Sequence, residues 1–151
     1  MYELSKKRVL YRGKTTEADP DTFEELIYDF GKDKSSVFYK GVPIVGPRPV
    51  SFRVLDEYYA RDIERVYTFS ARTVKTFAAD NTTFQILGFG FARDRTRAFW
   101  RGKRMRADAA TLAPLGEALA LDGKGVYWHN TRVLDQPLSS TGLRFEAGPF
   151  G

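Results

Sequence analysis

Apolar positions in this chain fall into recurring columns rather than one short period. Phe23, Phe52, Phe84 and Leu112 each stand ten residues before an aspartate, Asp33, Asp62, Asp94 or Asp122, and these aspartates lie 29, 32 and 28 residues apart. Leu26, Leu55, Leu87 and Leu115 follow three places after the first column, and Phe30, Tyr59, Phe91 and Leu119 stand three places before the aspartate. A small-residue column, Gly31, Ala60, Ala92 and Ala120, comes next. Beyond each aspartate Val37, Val66, Ala98 or Val126 precedes an aromatic, Phe38, Tyr67, Phe99 or Tyr127, and Ile44, Val74, Met105 or Val133 closes the copy. So many coincident columns define a tandem repeat of roughly 30 residues.

Short aromatic and β-branched runs bounded by turn residues predict antiparallel hairpins. An aspartate accepting hydrogen bonds from backbone N–H groups just ahead of it holds one bend of each hairpin. Lys40-Gly41, Arg101-Gly102 and His129-Asn130 make a second. The reading is an all-β, β-rich single domain of tandem hairpin or meander repeats, about four and a half copies with about three strands each. Its boundaries are a half repeat at 5–18, repeats at 19–46, 47–78, 79–106 and 107–134, and a cap or tail at 135–151. Corners such as Asp19-Pro20-Asp21-Thr22-Phe23 suit one tight helical turn capped by Asp, Asn or Thr. Over Ala109–Leu121, the near-3.6 spacing of Leu112, Leu115 and Leu119 allows a helix in place of the first strand.

With these columns in place, the repeats resemble the DKNYY family of bacterial repeat proteins. The resemblance rests on Tyr59-Ala60-Arg61-Asp62 through Val66-Tyr67, Gly31-Lys32-Asp33 through Val37-Phe38-Tyr39, and the Asp19–Phe23 corner, and it covers about residues 5–134. It implies a repetitive β fold and no reaction. Family members often carry an export or lipoprotein start, whereas Met1–Gly13 offers only Val9-Leu10 as an apolar pair, so a cytoplasmic location is expected. No apolar stretch approaches the roughly 18 residues of a membrane-spanning helix.

Composition narrows the chemistry. There is no cysteine and a single histidine, His129, which removes the usual transition-metal sets and any disulfide framework. His129 shares a column with Lys40, Phe69 and Arg101 and reads as a turn residue. Asp33, Asp62, Asp94 and Asp122 recur at repeat spacing, so they read as structural turn residues rather than an acid/base pair or a calcium loop. Gly88-Phe89-Gly90 lacks the following helix and Lys-Ser/Thr of a phosphate loop and reads as strand. Ser139-Ser140-Thr141 has no base in sequence to activate it. No enzyme activity, metal or cofactor is expected.

Charge is the unevenly distributed property. Residues 92–106 hold seven basic residues against Asp94 alone, a net +6 in a chain whose total is +5. Arg93, Arg95, Arg97, Trp100, Arg101 and Arg104 are therefore the candidate partner-binding residues, for a protein with an acidic surface. The expected function is a non-enzymatic protein-binding domain, in its sharpest form an immunity protein that occludes a cognate secreted toxin. The alternatives are a nucleic-acid-binding module using the Arg-rich third repeat and a structural or envelope-associated repeat protein.

Overall fold

A computed structural model describes residues 1–134; the sequence-defined tail at 135–151, with Ser139-Ser140-Thr141, lies outside them. The chain divides into two compact units, Met1–Thr76 and Phe77 onward. The described residues are all-β, with no helix among them.

The N-terminal unit holds three antiparallel meanders. The first is β1 (Tyr2–Leu4), β2 (Val9–Tyr11) and β3 (Lys14–Thr15); the second is β4 (Glu24–Glu25), β5 (Phe30–Lys32), β6 (Val37–Tyr39) and β7 (Val42–Ile44). The third is β8 (Arg53–Val54), β9 (Tyr59–Arg61), β10 (Val66–Phe69) and β11 (Val74–Thr76). The C-terminal unit holds two: β12 (Gln85–Gly88), β13 (Phe91–Arg93), β14 (Ala98–Trp100) and β15 (Lys103–Met105), then β16 (Ala113–Pro114), β17 (Leu119–Leu121), β18 (Val126–Trp128) and β19 (Thr131–Leu134).

Each full repeat is thus one four-stranded sheet, a strand more than the sequence pattern suggests. The extra strand arises because Asp56 separates β8 from β9, its Oδ1 accepting the N–H groups of Tyr58 and Tyr59. The helix allowed over Ala109–Leu121 is absent. Leu115 N–H donates to Leu119 C=O, the opposite polarity to a helix, and Pro114 and Gly116 disfavour one. The spacing of Leu112, Leu115 and Leu119 is that of the repeat columns, which happens to resemble 3.6. The corners are single hydrogen-bonded turns, as from Thr22 N–H to Asp19 C=O and from Thr111 N–H to Asp108 C=O.

Both faces of the β4–β7 sheet are apolar because the sheets before and after it in the N-terminal unit cover both. Register sets Phe30 opposite Tyr39, Gly31 opposite Phe38 and Lys32 opposite Val37. Phe30 and Val37 therefore share one face and pack with Phe52, Ala60, Tyr67 and Phe69 of the following repeat. Phe38 lies on the other face, with Tyr2, Val9, Tyr11 and Ala18 of the preceding half repeat. This is why Val-Phe-Tyr runs are continuous rather than alternating. The small column has the same origin: a Cβ at Gly31 would enter the ring of Phe23. In the C-terminal unit Phe91, Ala98 and Trp100 pack with Leu112, Ala120 and Tyr127 of the next repeat. At Gly41 the second hairpin bend needs glycine, since its φ is +81° and a Cβ would stand 2.7 Å from Tyr11 Cβ.

Candidate functional site

The four aspartates occupy equivalent bends, where each acts as a clasp. Oδ1 accepts two N–H groups just ahead in the chain: Ser35 and Ser36 on Asp33, Glu64 and Arg65 on Asp62, Thr96 and Arg97 on Asp94, Lys124 and Gly125 on Asp122. Oδ2 accepts the N–H of the residue fourteen places earlier, Asp19, Arg48, Asp80 or Asp108, at 2.8, 2.8, 2.8 and 2.6 Å. The corner answers in kind: the hydroxyls of Thr22, Ser51, Thr83 and Thr111 accept the N–H that follows each aspartate. Asp62 and Asp122 also accept the hydroxyls of Tyr67 and Tyr127. All four aspartates are buried, and their oxygens are engaged by the chain's own donors. Among the described residues no three His, Asp or Glu side chains gather to hold a metal ion. Ser5 takes the aspartate's place in the half repeat, its hydroxyl accepting from Lys7 and Arg8.

Burial alone would raise the carboxyls of Asp62 and Asp122, but the N–H and phenol donors outweigh it and hold both below the usual 3.8. A carboxyl lowered by folding stabilises the fold above its unfolded-state value and loses that contribution as pH falls through the folded value. Melting temperature, followed by circular dichroism, should therefore hold steady down to about pH 4 and decline below it. A midpoint unchanged to about pH 2 would show that these carboxylates contribute little.

The basic stretch is not gathered into one surface. Arg93 turns to the following repeat, its guanidinium donating to the carbonyls of Ala109 and Ala110 and to Gln85 Oε1. Arg97 donates to the Ala78 carbonyl at 2.7 Å. Arg95 is exposed in the aspartate bend, 3.9 Å from Asp80. At the opposite end of the sheet Arg101 lies over the Trp100 ring, 4.7 Å from its centre. Trp100 itself is only 8% exposed, so it is a core residue rather than an offered anchor. Arg104 is exposed on the outer strand β15.

His129 stacks on Trp100, with ring centres 4.1 Å apart and planes 15° from parallel. It fills the place that Phe69 fills beside Tyr39, 5.8 Å away, in the N-terminal unit. Trp128 adjoins His129 at 5.2 Å and is 52% exposed. Register pairs Leu119 with Trp128 and Leu121 with Val126, on the face opposite to Ala120 and Tyr127. Ala120 and Tyr127 are fully buried against the preceding repeat. The Leu119, Leu121, Val126 and Trp128 face is the one that β4–β7 and β12–β15 cover with the following repeat, and no such repeat stands among the described residues.

The sequence model of the DKNYY family matches residues 2–131. The chain belongs to the DKNYY family. No curated protein and no solved structure matches it. Its geometry gives a physical meaning to the basic residue before the aspartate in the DKNYY pattern. Lys32 Nζ donates to the carbonyls of Pro49 and Phe52, as Arg93 does to those of Ala109 and Ala110, so this cation ties one DKNYY repeat to the corner of the next. Gly88 ends β12 and Phe89-Gly90 forms the hairpin turn, rather than the continuous strand that the sequence suggests. The sequence reading missed Arg106, Trp128 and Arg132.

Proposed function

We propose that this chain is a non-enzymatic binding protein whose partner is a protein with an acidic surface. The observation that carries the reading is the sheet β16–β19, whose Leu119, Leu121, Val126 and Trp128 face has no following repeat among the described residues. A half-exposed tryptophan beside a histidine is a favoured composition for an interface centre, and Arg101, Lys103 and Arg104 of the preceding repeat give the C-terminal unit a positive field. The buried aspartates, whose oxygens hold the chain's own N–H groups, favour a scaffold role over acid/base chemistry. In its sharpest form the reading is a cytoplasmic immunity protein that covers the active or target-binding site of a cognate secreted toxin, with charge steering the encounter and Trp128 anchoring it.

The test is affinity capture by the tagged full chain from its source cells, followed by binding kinetics of the captured protein. The expected result is one acidic protein that dissociates about tenfold faster from Trp128→Ala. It should also associate more slowly with Arg101→Glu and with added salt. A toxic activity in that protein, silenced by the wild-type chain, supports the immunity form. Absence of specific capture, or a partner indifferent to both substitutions, overturns the reading.

A further inference from the structure

Arg104, Arg106, Asn130, Thr131 and Arg132 line one surface concavity of about 540 Å³ in the C-terminal unit. Three of these five residues are arginines, and none is acidic. Arg104 and Arg132 are equivalent residues of consecutive repeats. Register sets Arg104 opposite Phe99 and Arg132 opposite Tyr127, and the two lie 28 residues apart, the same interval that separates Asp94 from Asp122.

The scaffold does not require arginine at these places. The first full repeat forms the same four-stranded sheet with Pro43 opposite Phe38, where Arg104 stands opposite Phe99, and with Val45 where Arg106 follows Met105. Nor do two of the three side chains serve the fold: among the described residues the guanidinium groups of Arg104 and Arg106 have no hydrogen-bond or ion-pair partner. Arg93, bound to two carbonyls, shows what an arginine working for the fold looks like here. Arg132 is held beside Tyr127, its guanidinium 6.0 Å from the ring centre, so one wall of the concavity is positioned in advance. Three cations around one concavity repel each other, and nothing in the lining offsets that.

We propose that this concavity binds a small organic phosphate, a phosphate ester or diphosphate carrying two or three negative charges. Guanidinium forks match phosphoryl oxygens in geometry, and the Asn130 amide and Thr131 hydroxyl add neutral donors. Charge selects the ligand, because three cations balance a diphosphate while a single carboxylate would leave two unmet. The volume falls in the range of small-molecule sites, with room for a group attached to the phosphate. A nucleic-acid strand needs a track of cations along the surface, and Arg93 and Arg97, which would extend one, are spent on carbonyl groups.

The test is isothermal titration of the full chain with pyrophosphate, with citrate at matched ionic strength, and with a short oligothymidylate. Saturable one-to-one binding of pyrophosphate is expected, weakened about tenfold or more in Arg104→Gln/Arg106→Gln and unchanged in the control Arg53→Gln, which is not part of the lining. Because the guanidinium groups of Arg104 and Arg106 make no polar contact among the described residues, the ligand-free double variant should melt with the wild type. Absence of saturable pyrophosphate binding, undiminished binding by the double variant, or equally tight citrate would overturn the proposal. Preferential binding of the oligothymidylate would overturn it in favour of a nucleic-acid strand.

Discussion

Replacing Asp122 by alanine should lower the stability of the C-terminal unit by about 4 kcal/mol, read from the shift in its urea unfolding midpoint. The carboxylate is 1% exposed and accepts four hydrogen bonds, from the N–H groups of Asp108, Lys124 and Gly125 and from the Tyr127 hydroxyl. Alanine would leave all four donors without their acceptor, and each buried unsatisfied group costs on the order of 1–3 kcal/mol, offset in part by water that enters. The magnitude follows from the clasp's reach. One side chain closes its own bend through Oδ1 and holds the corner fourteen residues back through Oδ2, so its loss frees two turns together. A change below about 1 kcal/mol would mean that water or the neighbouring chain replaces the carboxylate at little cost.

Phe30→Ala should destabilise the N-terminal unit by a similar amount, about 4 kcal/mol, the usual cost of emptying a buried aromatic site. Phe30 is fully buried, with ring centres at 4.6 Å to Tyr39, 5.3 Å to Phe52 and 4.8 Å edge-on to Phe69. Phe52 and Phe69 belong to the following repeat, so the ring joins two sheets. Leu119 holds the equivalent position in the last described sheet, where it is only half-buried. Leu119→Ala should therefore cost clearly less, about 1–2 kcal/mol. Denaturant titrations of the two variants compare a fully buried position with a half-buried one, and equal losses would show that Leu119 is as well covered as Phe30.

The sequence revealed those features that the physics forces to recur. A bend that must satisfy several N–H groups keeps its aspartate, and a sheet covered on both faces, as β4–β7 is, keeps Val37-Phe38-Tyr39 apolar throughout. Other features were hidden because different residues solve the same problem. Ser5 performs the aspartate's turn in the half repeat, and Arg48 stands at the corner where other repeats have aspartate, paired instead with Glu64 at 2.8 Å. The helix suggested over Ala109–Leu121 arose because columns three and seven residues apart fit both a helix and this meander. Charge was the least legible property. A window of neighbouring residues counts Arg93, Arg97 and Arg104 together, although Arg93 and Arg97 are bound to carbonyls of different segments and Arg104 stands exposed on β15. The concavity of Arg104, Arg106 and Arg132 joins residues from two repeats, which no local count detects.

Amide hydrogen exchange at Asp19, Arg48, Asp80 and Asp108 tests the clasp most directly. These four residues lie outside every strand, and each N–H donates to an aspartate fourteen positions later. Slow exchange is expected at all four, with Asp108 alone released in Asp122→Ala. Exchange at the rate of an unstructured peptide at these positions would contradict the repeat architecture itself.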